Sequence, residues 1–348
     1  MRKLTRRSFG TMALAGLAAP ALGQGRAEVN ILGYQGVFAD NYTKAVVEPF
    51  IKATGIQVNY RPIQLSAQNL GMLRAQKGNP TIDLSIMDAM VARTGNTEGV
   101  FAEVTPADVP NVANLHDEAH VNGSFGRAVT FDHVVMLYNT EHVTPPPTGL
   151  ADLWKPENRG KITMYGAPEI AALMNMLLIN RQLGADETKT VQPAIDRLRE
   201  LAPAVQTWQP APDVYTLVMN GTAWLGTGWN ARAQYYRTVS QGKLDVIIPA
   251  EGSMFQINTM NLVNGAPSKA AALQFMNYAL SPEAQAAFTN LMYYAPTNKL
   301  AQPSAEALQR TAASPENRAK MKPLDWDFFV RNRDAWLQQW RRHVLSVR

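Results

Sequence analysis

The chain has 348 residues, 46% hydrophobic and 18% charged, which is enough for two domains with real cores and excludes global disorder. Its formal charge of +5 sits in one place: Arg2, Lys3, Arg6, Arg7 and Arg26 precede the first acid, and residues 28–348 are neutral. A neutral body lacks the phosphate-neutralising surface on which nucleic-acid binders depend, so no nucleic-acid partner is expected. With 0 cysteines there is no disulfide, thiolate nucleophile or zinc–sulfur site. A chain of this length folds without covalent staples, so the absence of cysteine does not fix the compartment.

Thr5-Arg6-Arg7-Ser8-Phe9 is followed by an apolar run over 12–22 and small residues to Ala27. A basic start, a short apolar stretch and a small-residue exit describe a cleaved export signal over 1–27. The run is well short of the ~20 residues that span a bilayer. The paired arginines before Ser-Phe resemble the twin-arginine type, which implies a periplasmic protein exported in the folded state.

Beyond the leader, strands and helices alternate. Residues 29–34 form an apolar strand, and 42–54 carry Val46, Val47, Phe50 and Ile51 at helical spacing, with Gly55 as the stop and Pro49 as a kink or restart. A strand over 56–63, a helix from Ser66 to Gln76 and an apolar strand over 82–87 complete a β-α-β-α-β order, which implies a parallel sheet with helices on its faces. Ligands on such sheets gather where strands end, so Tyr34, Gln35 and Asp88 are candidates by position. Further on come a strand over 134–138, an extended segment at Pro145-Pro146-Pro147, a long apolar helix over 167–183, and strands over 223–225 and 246–248. A helix over 268–280 leads into another opened by Ser281-Pro282-Glu283. Phe329, Trp336, Leu337, Trp340 and Val344 form one apolar stripe near the end.

Several chemical motifs come close and fail. His116-Asp117-Glu118-Ala119-His120 has two imidazoles at i, i+4, but the zincin pattern places Glu directly after the first His. Asn122-Gly123-Ser124-Phe125-Gly126 displaces the first glycine of a nucleophile elbow. Gly226-Thr227-Gly228-Trp229-Asn230-Ala231 looks like a dinucleotide loop, and Asp245 lies 19 residues after Gly226, but that acid precedes its strand instead of ending it. What remains is a glycine-rich helix start facing a cleft, with Trp229 presenting a flat face beside it. Tyr235-Tyr236 and Tyr293-Tyr294 resemble the phenolate pairs of ferric-ion binders, without an accompanying His/Asp set. No catalytic residue, cofactor or metal ligand is expected.

Four ordered blocks carry a family resemblance: Ile248-Pro249-Ala250-Glu251-Gly252-Ser253-Met254-Phe255; Asn264-Gly265-Ala266-Pro267-Ser268-Lys269; Phe275-Met276-Asn277-Tyr278-Ala279-Leu280-Ser281-Pro282-Glu283; and Tyr294-Ala295-Pro296-Thr297-Asn298. Together with Phe50-Ile51-Lys52-Ala53-Thr54-Gly55 and Gly228-Trp229-Asn230, the set resembles the periplasmic solute-binding proteins of ABC importers, nearest to the spermidine/putrescine-binding group. The resemblance implies an α/β fold of the two-lobed periplasmic-binding-protein type (type II), each lobe a mixed sheet flanked by helices. It places 28–132 plus 258–297 in the first lobe and 133–257 plus 298–348 in the second. Crossover strands near Asp132-His133 and Gln256-Ile257-Asn258 would form the hinge.

The resemblance implies a non-enzymatic receptor, monomeric, that takes a small polar solute and hands it to membrane permease subunits. The expected ligand residues are Tyr34, Gln35, Asp88, Trp229, Asn230, Arg232, Phe255, Gln256 and Asn258. Trp229 matches a cleft tryptophan. Gln256 and Asn258 stand where the group commonly has Trp and Asp, and Ala171 and Met174 fall where acids are expected at the start of the central helix. Asp88 is then the one free carboxylate expected, and Arg232 either pairs with it or accepts an anionic group. The expected ligand is a small polar solute (polyamine-like, an amine or a zwitterionic amino-acid derivative) carrying at most one uncompensated positive charge, in preference to spermidine. The competing readings are a ferric-ion receptor using tyrosines and an exported periplasmic enzyme.

Overall fold

The computed structural model describes residues 28–347, and the expected export signal lies outside them. The chain opens with β1 (Glu28–Tyr34), α1 (Val37–Tyr42), a π turn over Thr43–Val47 and α2 (Glu48–Thr54). Pro49 sits in the first turn of α2, where its missing N–H costs nothing, so the chain restarts there as expected. Gly55, at φ 75°, ends the helix in the left-handed conformation and donates its N–H to Ile51 O at 2.8 Å. Next come β2 (Gln57–Ile63), α3 (Ser66–Ala75), β3 (Leu84–Asp88), α4 (Ala89–Thr97) and the short β4 (Phe101–Ala102). Strands β2, β1 and β3 run parallel in that order. Every residue of β3 is buried, because helices cover both of its faces.

Strand β5 (Arg127–Asn139) is long because it serves two sheets. Residues 127–133 pair with β10 (Phe255–Val263), which lies antiparallel between β3 and β5. From Val134 on, the same strand pairs with β8 (Leu225–Trp229) and β9 (Leu244–Ile247). The second sheet continues through β6 (Ile162–Met164) to β7 (Val205–Thr207). Its helices are α5 (Ile170–Gln182), α6 (Gln192–Leu201), α7 (Val214–Met219) and α8 (Asn230–Val239). The chain then returns through β10 to α9 (Lys269–Ala279), α10 (Pro282–Met292), α11 (Ala305–Gln309) and α12 (Pro315–Ala319), and ends in α13 (Trp326–Trp340).

Each lobe has its own core. Phe38, Phe50, Phe131 and Phe275 anchor the first, with Phe50 and Phe275 edge to face at 5.0 Å. The expected C-terminal stripe of Phe329, Trp336, Leu337, Trp340 and Val344 joins α5 and α6 in the second. Three segments cross side by side between the lobes. Besides β5, Ser253 donates its hydroxyl to Val134 O at 2.6 Å and its N–H to Lys320 O at 3.1 Å. A side chain at Gly252 would meet Lys320 O at 2.5 Å, so the crossing strands approach as closely as glycine allows.

Two expected boundaries move. Asn298 bridges Leu115 and donates to Leu280 O, and Ala312 lies in the first core, so the chain stays with the first lobe until the crossing at 320–322. The return into the first sheet begins at Phe255, three residues before the expected Asn258, because Phe255 already pairs with His133.

Candidate ligand-binding site

The sheet of the first lobe ends at the cleft in a connected set of polar side chains. Tyr34, at the end of β1, shares a hydrogen bond with Ser66 Oγ at 2.8 Å and donates to Asn258 Oδ1 at 2.9 Å. Gln256 Nε2 donates to Asn258 Oδ1 at 2.7 Å and to Asp88 Oδ2 at 3.0 Å, and Asn258 Nδ2 donates to Thr130 Oγ1 at 2.9 Å. Burial pushes the Tyr34 hydroxyl well above the usual phenol range, so it stays protonated and able to donate.

Asp88 is not the free carboxylate expected. It is the N-cap of α4, and Oδ1 accepts from Met90 N at 2.8 Å while Oδ2 accepts from Gln256. It is 5% exposed, and burial raises its pKa against the lowering pull of those donors. An aspartate that precedes a helix satisfies that helix's orphan N–H groups first. Asn258 is likewise fully engaged, whereas Gln256 keeps Oε1 without a protein hydrogen bond. Gln35 is exposed at the end of β1, tied only through its backbone N–H to Ile63 O. Phe255 stacks on Phe131 at 4.9 Å with the Arg318 guanidinium over its other face at 5.7 Å.

From the second lobe, β8 delivers Trp229 and α8 delivers Arg232. Trp229 is fixed through its backbone: its N–H donates to Tyr215 Oη at 2.8 Å, and its carbonyl accepts from the same hydroxyl at 3.3 Å. The glycines before it are packing requirements, not a phosphate cradle. A Cβ at Gly228 would meet the Tyr215 ring at 2.9 Å, and one at Gly226 would meet Thr163 O at 2.7 Å. Asn230 is not a cleft residue. It is 2% exposed, and its Nδ2 donates to Arg310 O at 3.0 Å and Tyr293 O at 3.4 Å.

Arg232 is half-buried, and its charge is felt in both lobes: at Tyr34, Asp132 and Tyr294 of the first, and at Tyr165, Glu169 and Tyr215 of the second. Arg237, on the same helix, pairs with Asp245 at 2.8 Å. Among the described residues no carboxylate lies within ion-pair distance of Arg232. Burial disfavours its charge, but a guanidinium keeps its proton at any functional pH, so Arg232 stays cationic. Of the two expected roles, pairing with Asp88 is not seen, since Asp88 is held by Met90 and Gln256.

One candidate carboxylate escaped the sequence reading. Ala171 and Met174 are fully buried in α5, but Glu169 stands just before that helix in an extended conformation (φ −64°, ψ 139°), and its side chain makes no capping bond. Glu169 is exposed, yet partial desolvation of its carboxylate and the Asp88 charge raise its pKa, and Arg232 lowers it. The start of the central helix therefore does present a carboxylate, set two positions earlier than expected. Pro168 was the available signal, because a residue before proline is disfavoured in a helix and pushes the helix start later.

The other motifs resolve into structure. Glu118 pairs with Arg318 at 2.7 Å, and among the described residues no three His, Cys, Asp or Glu side chains gather to hold a metal. The tyrosine pairs turn to separate partners: Tyr236 to Asp213 at 3.3 Å, Tyr293 to Arg310 at 3.2 Å, and Tyr294 to a stack on Phe288 at 5.5 Å.

Comparison with known proteins agrees with this architecture. A spermidine/putrescine-binding periplasmic protein of Escherichia coli is 24% identical over 295 residues, covering 82% of this chain and 84% of that one. A gamma-aminobutyric acid-binding protein of Pseudomonas aeruginosa is 24% identical over 342 residues and covers 92% of each. The crystal structure of an ABC transporter substrate-binding protein from Bradyrhizobium japonicum superposes with TM-score 0.79 at 20% identity, over 91% of this chain and 99% of that one. The family model for bacterial extracellular solute-binding proteins matches residues 45–317, which include parts of both lobes and the first two crossing segments. With that model covering most of the chain, and with two sheets sharing β5, the chain belongs to the bacterial extracellular solute-binding protein family.

Proposed function

We propose that this protein is the periplasmic substrate-binding component of an ABC importer, and that its ligand is a small zwitterion with a carboxylate at one end and an ammonium group at the other. The observation that carries this reading is Arg232, a cationic guanidinium without a counter-ion between the lobes, with the uncapped carboxylate of Glu169 in the same field. A guanidinium in that state binds a carboxylate by charge-assisted hydrogen bonds. Glu169 then receives the ammonium, Gln256 Oε1 accepts a hydrogen bond, and the Trp229 indole covers the apolar stem. A diamine would set one of its cations against Arg232, which disfavours it although relatives bind spermidine and putrescine. The relative that binds gamma-aminobutyric acid fits the same charge pattern. Export through the twin-arginine route and delivery to permease subunits complete the role.

A thermal-shift screen of the mature protein against diamines, amino-acid derivatives, opines and organic anions tests the reading. Ligand at 100 times its Kd stabilises by about 2.7 kcal/mol. Zwitterions should shift the transition most. A response confined to polyamines, or to simple anions, would overturn the assignment.

A further inference from the structure

We propose that Asp132 is a positioning residue for the ligand site: a carboxylate on the crossover strand that holds the first turn of α8, and through it Trp229 and Arg232, in register with the hinge. The proposal rests on the reading of Arg232 as the ligand-carboxylate residue. Asp132 is 2% exposed on β5, one residue before the point where that strand changes sheets. Its Oδ1 accepts the N–H of Ala231 at 3.1 Å and that of its own neighbour His133 at 2.8 Å. The Ala231 N–H is one of the orphan groups at the start of α8, so a helix of the second lobe is capped by a side chain from the shared strand.

The same turn is anchored twice more. Ala231 is fully buried in the core of the first lobe, and the Asn230 side chain holds the carbonyls of Tyr293 and Arg310. The first turn of α8 is therefore a pivot that both lobes grip, with Trp229 just before it and Arg232 just after.

This position costs stability. The titratable groups facing Asp132 are the cationic Arg232 from α8, the neutral phenols of Tyr294 from the segment after α10 and Tyr215 from α7, and the neutral imidazole of its own neighbour His133. Burial raises its pKa to about 7, only partly offset by the backbone donors and Arg232. A folded-state pKa above the unfolded value means that stability present in acid is lost as pH rises through the folded value. A residue retained only to cap the helix would show the opposite balance at alkaline pH.

The test compares the wild type with Asp132→Asn, which keeps the shape and one acceptor. Hydrogen exchange of the apo protein at pH 8.5 should show the amides of 230–232 exchanging at least tenfold faster in the variant. The Tm of the variant should be equal to or above the wild type at pH 8.5, with that advantage shrinking at pH 5. Affinity for gamma-aminobutyrate at pH 8.5 should fall at least tenfold. Unchanged amide exchange, or a Tm that drops equally at both pH values, would overturn the proposal, as would affinity within twofold of the wild type. If the wild type does not bind gamma-aminobutyrate, that result counts against the ligand class, and the exchange and Tm measurements still decide the role of Asp132.

Discussion

Replacing Arg232 with Gln keeps much of the side chain's bulk and some hydrogen-bonding capacity but removes the charge that defines the site. A hydrogen bond to a charged group contributes about 1.5–3 kcal/mol. At about 1.4 kcal/mol per tenfold, the variant should bind a zwitterion about 10- to 150-fold more weakly. A diamine should respond in the opposite direction. Two unit cations about 5 Å apart repel by about 3 kcal/mol at an effective dielectric of about 20, and Arg232→Gln lifts that repulsion. Putrescine affinity should therefore rise at least tenfold while zwitterion affinity falls. The apo form should not lose stability, because the guanidinium is half-buried without an ion-pair partner among the described residues. Isothermal titration of both ligands on both proteins measures the crossover. A zwitterion affinity that falls less than threefold, with putrescine unchanged, would refute the charge argument.

Other consequences are equally direct. Trp229→Ala should weaken binding by more than tenfold and move the apo Tm by only a few degrees, because its backbone anchor to Tyr215 survives the truncation; equal losses of stability and affinity would indicate packing alone. Arg93 of α4 and Asn122 both bind Asp327 at the start of α13, and Met90 of α4 reaches the core of the second lobe, so Asp327→Asn should speed ligand release in stopped-flow traces and leave association unchanged. Glu169 has a raised pKa, so affinity for an ammonium-bearing ligand should decline as pH falls through that value; titrations from pH 4 to 8 should show this decline in the wild type and a shallower one in Glu169→Gln.

The alternation of strands and helices was legible because burial enforces it. Residues 29–34 and 82–87 are apolar where helices cover both sheet faces, and Gly55 and Ser281 end or begin helices through backbone conformation and capping. Tyr34 and Asp88 were placed at the cleft for the same reason, since strand ends are fixed by topology. What the sequence hides is where a side chain turns. Asp88 satisfies its own helix, and Asn230 faces the carbonyls of the neighbouring lobe. The crossover strand was read only over 134–138, because Asp132 and His133 interrupt its apolar run. Both are buried at the hinge, and burial pushes the His133 imidazole down to about 3, keeping it neutral. The lobe boundary near 320 has no local signature, because it depends on a neighbouring strand and a glycine remote in sequence.

The most direct measurement compares equilibrium binding of gamma-aminobutyrate, putrescine and butyrate, which share a four-carbon chain and differ only in their end groups. With Arg232 open to a carboxylate and Glu169 to an ammonium, the zwitterion should bind most tightly, and each molecule lacking one of the two end groups should bind at least tenfold more weakly. Putrescine binding as tightly as gamma-aminobutyrate, or butyrate matching it, would contradict the assignment.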